Sequence, residues 1–113
     1  MAYDVSLAKR VRTYLGQFPD LQLEEKKMFG GLAFIINQKM CVNVSGENLM
    51  CRFDPKQTEE LAKTEGFQPM VMKGRVYEGY AYISPGGVRT ELQLAQWIER
   101  CLAFNRTVAS AEK

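Results

Sequence analysis

Three sets of side chains in this 113-residue chain are of types that can do chemistry: three cysteines, two adjacent carboxylate pairs, and a few cations with aromatics among them. The hairpin register derived below sets Cys41 across from Arg52, and a neighbouring cation lowers a thiol pKa toward a redox-sensing thiolate. The plainer reading of Cys41 is a small strand residue kept from water, because free cysteine is among the most buried residue types. Glu24-Glu25 and Glu59-Glu60 are neighbours in sequence. On a strand such neighbours face opposite sides, and on a helix they diverge by about 100°, so neither pair converges into an acid–base dyad. Lys73-Gly74-Arg75, with Arg52 and Tyr77, combines cations with stacking rings in the manner of a nucleic-acid backbone contact. Three loop cations are more often a solvated turn.

What the chain lacks narrows the chemistry further. It has no histidine, the commonest general base near neutral pH and the commonest metal ligand. Ser-His and Cys-His nucleophilic sites are therefore excluded. No Cys-x-x-Cys pair offers a structural zinc site, and neither glycine-rich nucleotide loop occurs. The expectation is a non-enzyme with no cofactor and no metal.

The elements that position these residues follow from the punctuation of the chain. Residues from about Asp4 to Phe18 read as a helix with Asp4 as N-cap and Leu7, Val11, Tyr14 or Leu15, and Phe18 on one face. Lys9, Arg10 and Arg12 fall on its solvated arc, and Pro19 stops it. Strands are expected at Leu23–Phe29, Leu32–Ile36, Met40–Ser45 and Leu49–Phe53, with Gly30-Gly31 as a bulge or tight turn between the first two. Gly46-Glu47 suits a type II′ hairpin turn. That turn sets Val44 opposite Leu49, Val42 opposite Cys51 and Met40 opposite Phe53 on one face, with Cys41 opposite Arg52 and Asn43 opposite Met50 on the other.

Asp54-Pro55-Lys56-Gln57 opens a helix with a capping box, and Gly66 closes it. A short strand at Met70–Met72, a turn at Lys73–Arg75 and a strand at Tyr77–Ser84 follow, stopped by Pro85. Thr90 and Gln93 form a second capping box for a helix to about Phe104, with Leu92, Ala95, Ile98 and Leu102 as its buried stripe. Residues 1–108 read as one domain and 109–113 as a frayed tail. The class is α+β, an antiparallel sheet with helices largely on one side.

The second sheet face holds Cys41, Met50 and Arg52, alternation puts Tyr80 and Tyr82 on one side of the Tyr77–Ser84 strand, and Met50, Arg52, Tyr80 and Tyr82 are the candidate contact residues. Left uncovered, they form an apolar–aromatic patch of the kind that marks a partner or self-association surface. The alternatives are a sheet covered on both sides, or faces exchanged at the Asn37-Gln38 turn. Met28, Met40, Met50, Met70 and Met72 all fall on strands, where core packing accounts for them.

The 46% hydrophobic and 25% charged composition is that of an ordinary globular protein, and the net charge of +2 is only mildly basic. No apolar run approaches the roughly 18 residues of a membrane span, and Met1-Ala-Tyr-Asp-Val5 has no secretory pattern. With an odd number of cysteines, this points to reduced thiols and a cytoplasmic location. The sequons Asn43-Val44-Ser45 and Asn105-Arg106-Thr107 are then chance matches.

Lys27-Met28-Phe29-Gly30-Gly31, Lys39-Met40, Leu49 with Arg52 and Asp54-Pro55, Pro69-Met70, Gly74-Arg75, and Gly79-Tyr80 before Pro85 recur in order and spacing in a known family. By these positions the chain resembles the N-terminal domain of the bacterial TfoX (Sxy) competence regulators. The resemblance implies a sheet of about five strands in the order α-β3-α-β2-α, one strand fewer than the residues themselves suggest. It further implies a non-enzymatic module in transcription regulation with a protein partner; a homodimer through the second sheet face is the other expectation. It supplies no catalytic residues. The competence regulators, thought to act with the cyclic-AMP receptor protein, carry a second, C-terminal helical domain, and this chain is expected to be a single-domain relative. Asn37-Gln38 stands where that family's turn reads Asn-Gly. A looser likeness to the YjbR group, through Lys39-Met40 and Asp54-Pro55, keeps direct DNA contact as the alternative, carried by Lys9, Arg10, Arg12, Lys73 and Arg75.

Overall fold

The computed structural model describes residues 3–28 and 30–111. Phe29, the expected last residue of the first strand, lies outside the described residues, as do Met1, Ala2, Glu112 and Lys113. The first helix, α1 (Val5–Leu15), starts where expected: the Asp4 carboxylate accepts the N–H groups of Ser6 and Leu7 at 2.9 and 3.2 Å. It buries Leu7, Ala8, Val11 and Leu15. It ends before Phe18, in tighter turns from Gln17 N–H to the Tyr14 carbonyl and Phe18 N–H to the Leu15 carbonyl.

Six strands follow, not the five implied by the resemblance: β1 (Leu23–Met28), β2 (Gly31–Ile36), β3 (Lys39–Ser45), β4 (Asn48–Arg52), β5 (Phe67–Met72) and β6 (Arg75–Ile83). They form one antiparallel sheet in the order β1-β2-β3-β4-β6-β5. β1 pairs with β2 from Leu23–Ile36 to Met28–Gly31. Gly30, at φ 73, lies in the turn between them, so Gly30-Gly31 divides two strands rather than bulging one. The β3–β4 hairpin has the expected register, with Val44 opposite Leu49, Val42 opposite Cys51 and Asn43 opposite Met50. Of its two turn residues only Gly46 has positive φ, at 57, the type II′ signature. The β2–β3 turn has Asn37 and Gln38 at φ 52 and 71, which is type I′.

The register departs from expectation at Cys41. The β2–β3 ladder shifts between Phe34–Val42 and Ile35–Met40, leaving Cys41 as the extra residue of a bulge. Its side chain joins the core, 1% exposed and near Cys101 of the last helix, instead of lying across from Arg52 on the second face. Met40 pairs with Ile35, and Phe53 passes beyond the end of β4 into the core.

The expected helix at Asp54 is shorter than its caps suggest. Asp54 does cap it, accepting Lys56 N–H at 3.0 Å, but Pro55–Gln57 is a 3-10 turn and α2 (Thr58–Leu61) has only four residues. Gln57 contributes no side-chain cap. The chain is in β5 by Phe67, three residues earlier than read from sequence.

The last helix, α3 (Glu91–Ala111), opens on the expected capping box: Gln93 N–H donates to Thr90 Oγ1 and Thr90 N–H to Gln93 Oε1, each at 3.0 Å. Its buried stripe is Leu94, Trp97, Ile98, Cys101, Leu102 and Asn105, while the expected Leu92 is 69% exposed. Leu94 and Trp97 continue the same i, i+3, i+4 row as Ile98, Cys101 and Leu102, and Leu92 falls off it. No Gly or Pro follows Phe104, and the helix runs on through Ala111.

One core cluster unites α1, α2 and α3 with the sheet side bearing Leu32, Phe34, Ile36, Val42, Val44, Leu49, Cys51, Ala81 and Ile83. Phe53 and Trp97 of that cluster form a tilted aromatic trio with Phe67, which packs against it, at centroid distances of 6.2 to 6.4 Å. Asn105 ties α3 to the β2–β3 hairpin, its amide donating to the carbonyls of Ile36 at 3.0 Å and Lys39 at 3.4 Å.

Both sheet edges carry features that oppose further strand pairing. β1 presents exposed Glu24, Glu25, Lys26 and Lys27. On β5 the Gly66 carbonyl accepts Ser84 N–H at 2.9 Å, so alternation aims Gln68 inward and the donor-less nitrogen of Pro69 outward.

Candidate interaction surface

Strand alternation sends the residues between the core positions to the other face: Ala33 and Ile35 from β2, Asn43 from β3, Met50 and Arg52 from β4, Tyr80 and Tyr82 from β6. Ala33, Met50 and Met70 are buried yet stand outside the core cluster that holds the helices' apolar residues. The helices therefore pack on one face, and the second face is built of sheet side chains covering one another. Asn43 is fully buried there, and its amide donates to the Met28 carbonyl at 3.1 Å.

The four residues singled out from sequence do come together. Cross-strand pairs set Met50 beside Tyr82 and Arg52 beside Tyr80. Their accessibility differs, however. Met50 is 6% exposed and forms the floor, while Arg52, Tyr80 and Tyr82 are half-buried and form the accessible layer.

Arg52 lies at the end of β4, by the C-terminal half of α3. Its guanidinium carbon is 5.9 Å from the Tyr80 ring centre and 5.4 Å from that of Phe104 on α3. Tyr77 extends the row, its ring 6.4 Å from that of Tyr80. Sequence reasoning missed Phe104, although it lies three residues beyond Cys101, because it falls off the helix's buried row. A groove of about 380 Å³ adjoins Phe104, lined by Asp54, Gln57, Glu99, Arg100, Ala103 and Thr107. Arg100 stacks on Trp97 at 4.8 Å.

The cations of the alternative reading are not brought together. Arg12 donates from Nε and Nη2 to the Glu25 carboxylate, both at 2.6 Å, so α1 lies against the β1 edge. That bidentate bond raises the Arg12 pKa and lowers that of Glu25. Arg10 donates to Glu91 at 3.0 Å and to the Val88 carbonyl at 2.8 Å. Lys9 is exposed on the same helix. Lys73 and Arg75 are exposed on the β5–β6 hairpin, at the other side of the six-stranded sheet.

The thiol chemistry considered for Cys41 also lacks its setting. Burial pushes the Cys41 and Cys101 thiols up, outweighing the opposing influence of nearby arginines, and Cys51 is buried as well. The Cys41 and Cys101 thiols therefore stay protonated and poorly nucleophilic. Among the described residues no three His, Cys, Asp or Glu side chains gather as a metal site, and no helix is long and apolar enough to cross a membrane.

Comparison with curated proteins and with solved structures returns no match. The TfoX N-terminal domain matches over residues 14–105, from the end of α1 to Asn105 on α3, and so takes in every strand of the sheet and the whole Arg52 surface. The chain belongs to the TfoX N-terminal domain family.

Proposed function

We propose that this chain is a non-enzymatic, cytoplasmic module of bacterial transcription regulation, of the kind that controls competence. It acts by protein contact through the sheet surface of Arg52, Tyr80 and Tyr82 over Met50. The observation that carries this reading is the one-sided packing: helices take one face of the sheet, and the other keeps half-buried tyrosines around an arginine with no carboxylate partner among the described residues. Surfaces that mix aromatic and arginine side chains are typical of protein contact hot spots. Family membership supports a regulatory role over a catalytic one.

Protein contact is favoured over direct DNA binding because Arg10 and Arg12 are spent on internal carboxylates, while Lys73 and Arg75 stand far along the sheet. Phosphate-backbone binding rests on several cations acting together.

The test is affinity capture from native lysate, with and without nuclease, comparing the wild type with a Tyr80→Ser/Tyr82→Ser double variant. The expected result is a nuclease-resistant protein partner lost in the variant, with its melting temperature nearly kept. A partner that disappears with nuclease refutes the reading in favour of nucleic acid. Capture of the chain's own second copy alone makes the surface a homodimer interface. Collapse of the variant's fold places the tyrosines in the core and withdraws the surface.

A further inference from the structure

Resting on that reading, we infer that Arg52 is the anchor for an aspartate or glutamate carboxylate of the partner, held between the rings of Tyr80 and Phe104. Its guanidinium carbon lies 5.9 and 5.4 Å from the two ring centres. The arginine thus sits between an aromatic of the sheet and one of α3. Ring contacts supply no oxygen acceptor to its five N–H donors. Neither ion pair among the described residues involves Arg52, and no protein oxygen accepts a hydrogen bond from its side chain there. Of the seven arginines, Arg10 and Arg12 have a carboxylate partner among the described residues; Arg52 and Arg100 are the half-buried ones without one, and of these Arg52 is the one set among the sheet tyrosines.

A half-buried arginine set beside two aromatic rings, with no protein acceptor among the described residues taking its N–H donors, suits one planar acceptor. Its side chain has already lost much of the rotamer freedom that binding would otherwise cost. A carboxylate fits the fork with two parallel charge-assisted hydrogen bonds. The surroundings favour a peptide acid over a phosphate backbone. Asp54 and Glu99, with Arg100 as the one cation among them, line the groove beside Phe104, so an extended string of phosphates passing along it meets more repulsion than one short acidic side chain that stops at Arg52. A single acidic side chain meets Arg52 alone, with apolar neighbours resting on Tyr80, Tyr82 and Phe104. The edges of the sheet leave no other main-chain route, since charge guards β1 and Pro69 guards β5. Recognition by side chains on the open face is what remains.

The test follows the Arg52 Nε–H resonance of the whole isotopically labelled chain by NMR. Three probes are titrated: the blocked hexapeptide Ala-Leu-Glu-Glu-Leu-Ala, its Gln-Gln counterpart, and an oligothymidylate. The expected result is a saturable shift with the acidic peptide alone, with a Kd below about 1 mM. Arg52→Gln should abolish peptide binding as read at neighbouring amides, and Arg52→Lys should weaken it about tenfold, because an ammonium keeps the charge but loses the fork. Both variants are first checked for wild-type amide dispersion, and should Arg52→Gln fail that check, Arg52→Lys carries the comparison. Equal binding of the two peptides, unchanged affinity in Arg52→Lys, no saturable shift, or a shift with oligothymidylate alone overturns the anchor. If the anchor fails while Tyr80→Ser/Tyr82→Ser still abolishes nuclease-resistant capture, the protein-contact reading stands without it. If that capture is also unaffected, both fall.

Discussion

Adjacent glycines 30 and 31 should respond to the same substitution by different mechanisms and with different magnitudes. Gly30 has φ 73, and a Cβ built on it meets nothing within 4 Å. Gly30→Ala therefore costs only the left-handed strain, about 1 kcal/mol. Gly31 has no such backbone constraint, but its Cβ would stand 2.2 Å from the Val44 carbonyl oxygen and 2.6 Å from Asn43 Oδ1. An ordinary carbon–oxygen contact is about 3.3 Å, so β2 and β3 must separate locally by roughly 1 Å. That movement breaks ladder hydrogen bonds around the Leu32–Val44 pair and disturbs the buried Asn43 amide that holds the Met28 carbonyl. At about 1 kcal/mol per bond, plus a buried amide left unpaired, the loss is at least about 3 kcal/mol. For a domain of this size that is roughly 4 °C for Gly30→Ala and 12 °C or more for Gly31→Ala. Thermal and urea unfolding followed by circular dichroism would measure both. An equal loss at the two positions, or a larger one at Gly30, refutes the steric argument.

Gln38→Gly should stabilise the chain by about 0.5 kcal/mol, since relief of roughly 1 kcal/mol of left-handed strain at φ 71 is partly offset by a freer unfolded state; a urea midpoint that falls counts against it. Tyr14 donates to the Glu99 carboxylate, and burial first, then that bond, pushes its pKa up to about 12. The fold favours the neutral phenol, so this contribution to stability is fully present below pH 10 and is lost as the pH rises from 10 to about 12. Phenolate absorbance should show a late-titrating tyrosine that Tyr14→Phe removes; its persistence would contradict the assignment. The three buried thiols should resist a disulfide reagent at about pH 8 until the chain unfolds. Fast labelling of one equivalent in the native state would show an accessible thiolate and reinstate redox chemistry.

The parts of this fold legible in the sequence are those fixed by a few neighbouring residues. Gly46 alone sets the β3–β4 turn and the register that follows from it, and Thr90 with Gln93 marks the start of α3. Alternation also puts Met50 with Arg52 and Tyr80 with Tyr82 on shared faces, whereas the β4–β6 pairing that brings the two pairs together joins distant segments. What escaped was decided by distant partners. The Cys41 bulge has no local signature, and it becomes visible only when β2 and β3 are both in place. Leu92 reads as core until Leu94 and Trp97 reveal which row of α3 meets the sheet. Phe104 carries no functional signal of its own, and its meaning comes from the guanidinium of a residue 52 positions earlier.

The strand order also bears on how the chain assembles. β1 to β4 follow one another through short turns, a meander whose contacts are local. β5 and β6 form a second hairpin, and the chain must close the long loop between β4 and β6 to unite the two halves. Local pairings form sooner than distant ones, so this seam is expected to close last. Its rungs are Leu49–Ile83, Met50–Tyr82, Cys51–Ala81 and Arg52–Tyr80. The proposed contact surface thus straddles the final join. A folding intermediate with both hairpins formed but undocked would not display it, and a partner that reads this surface recognises only chains that have finished folding.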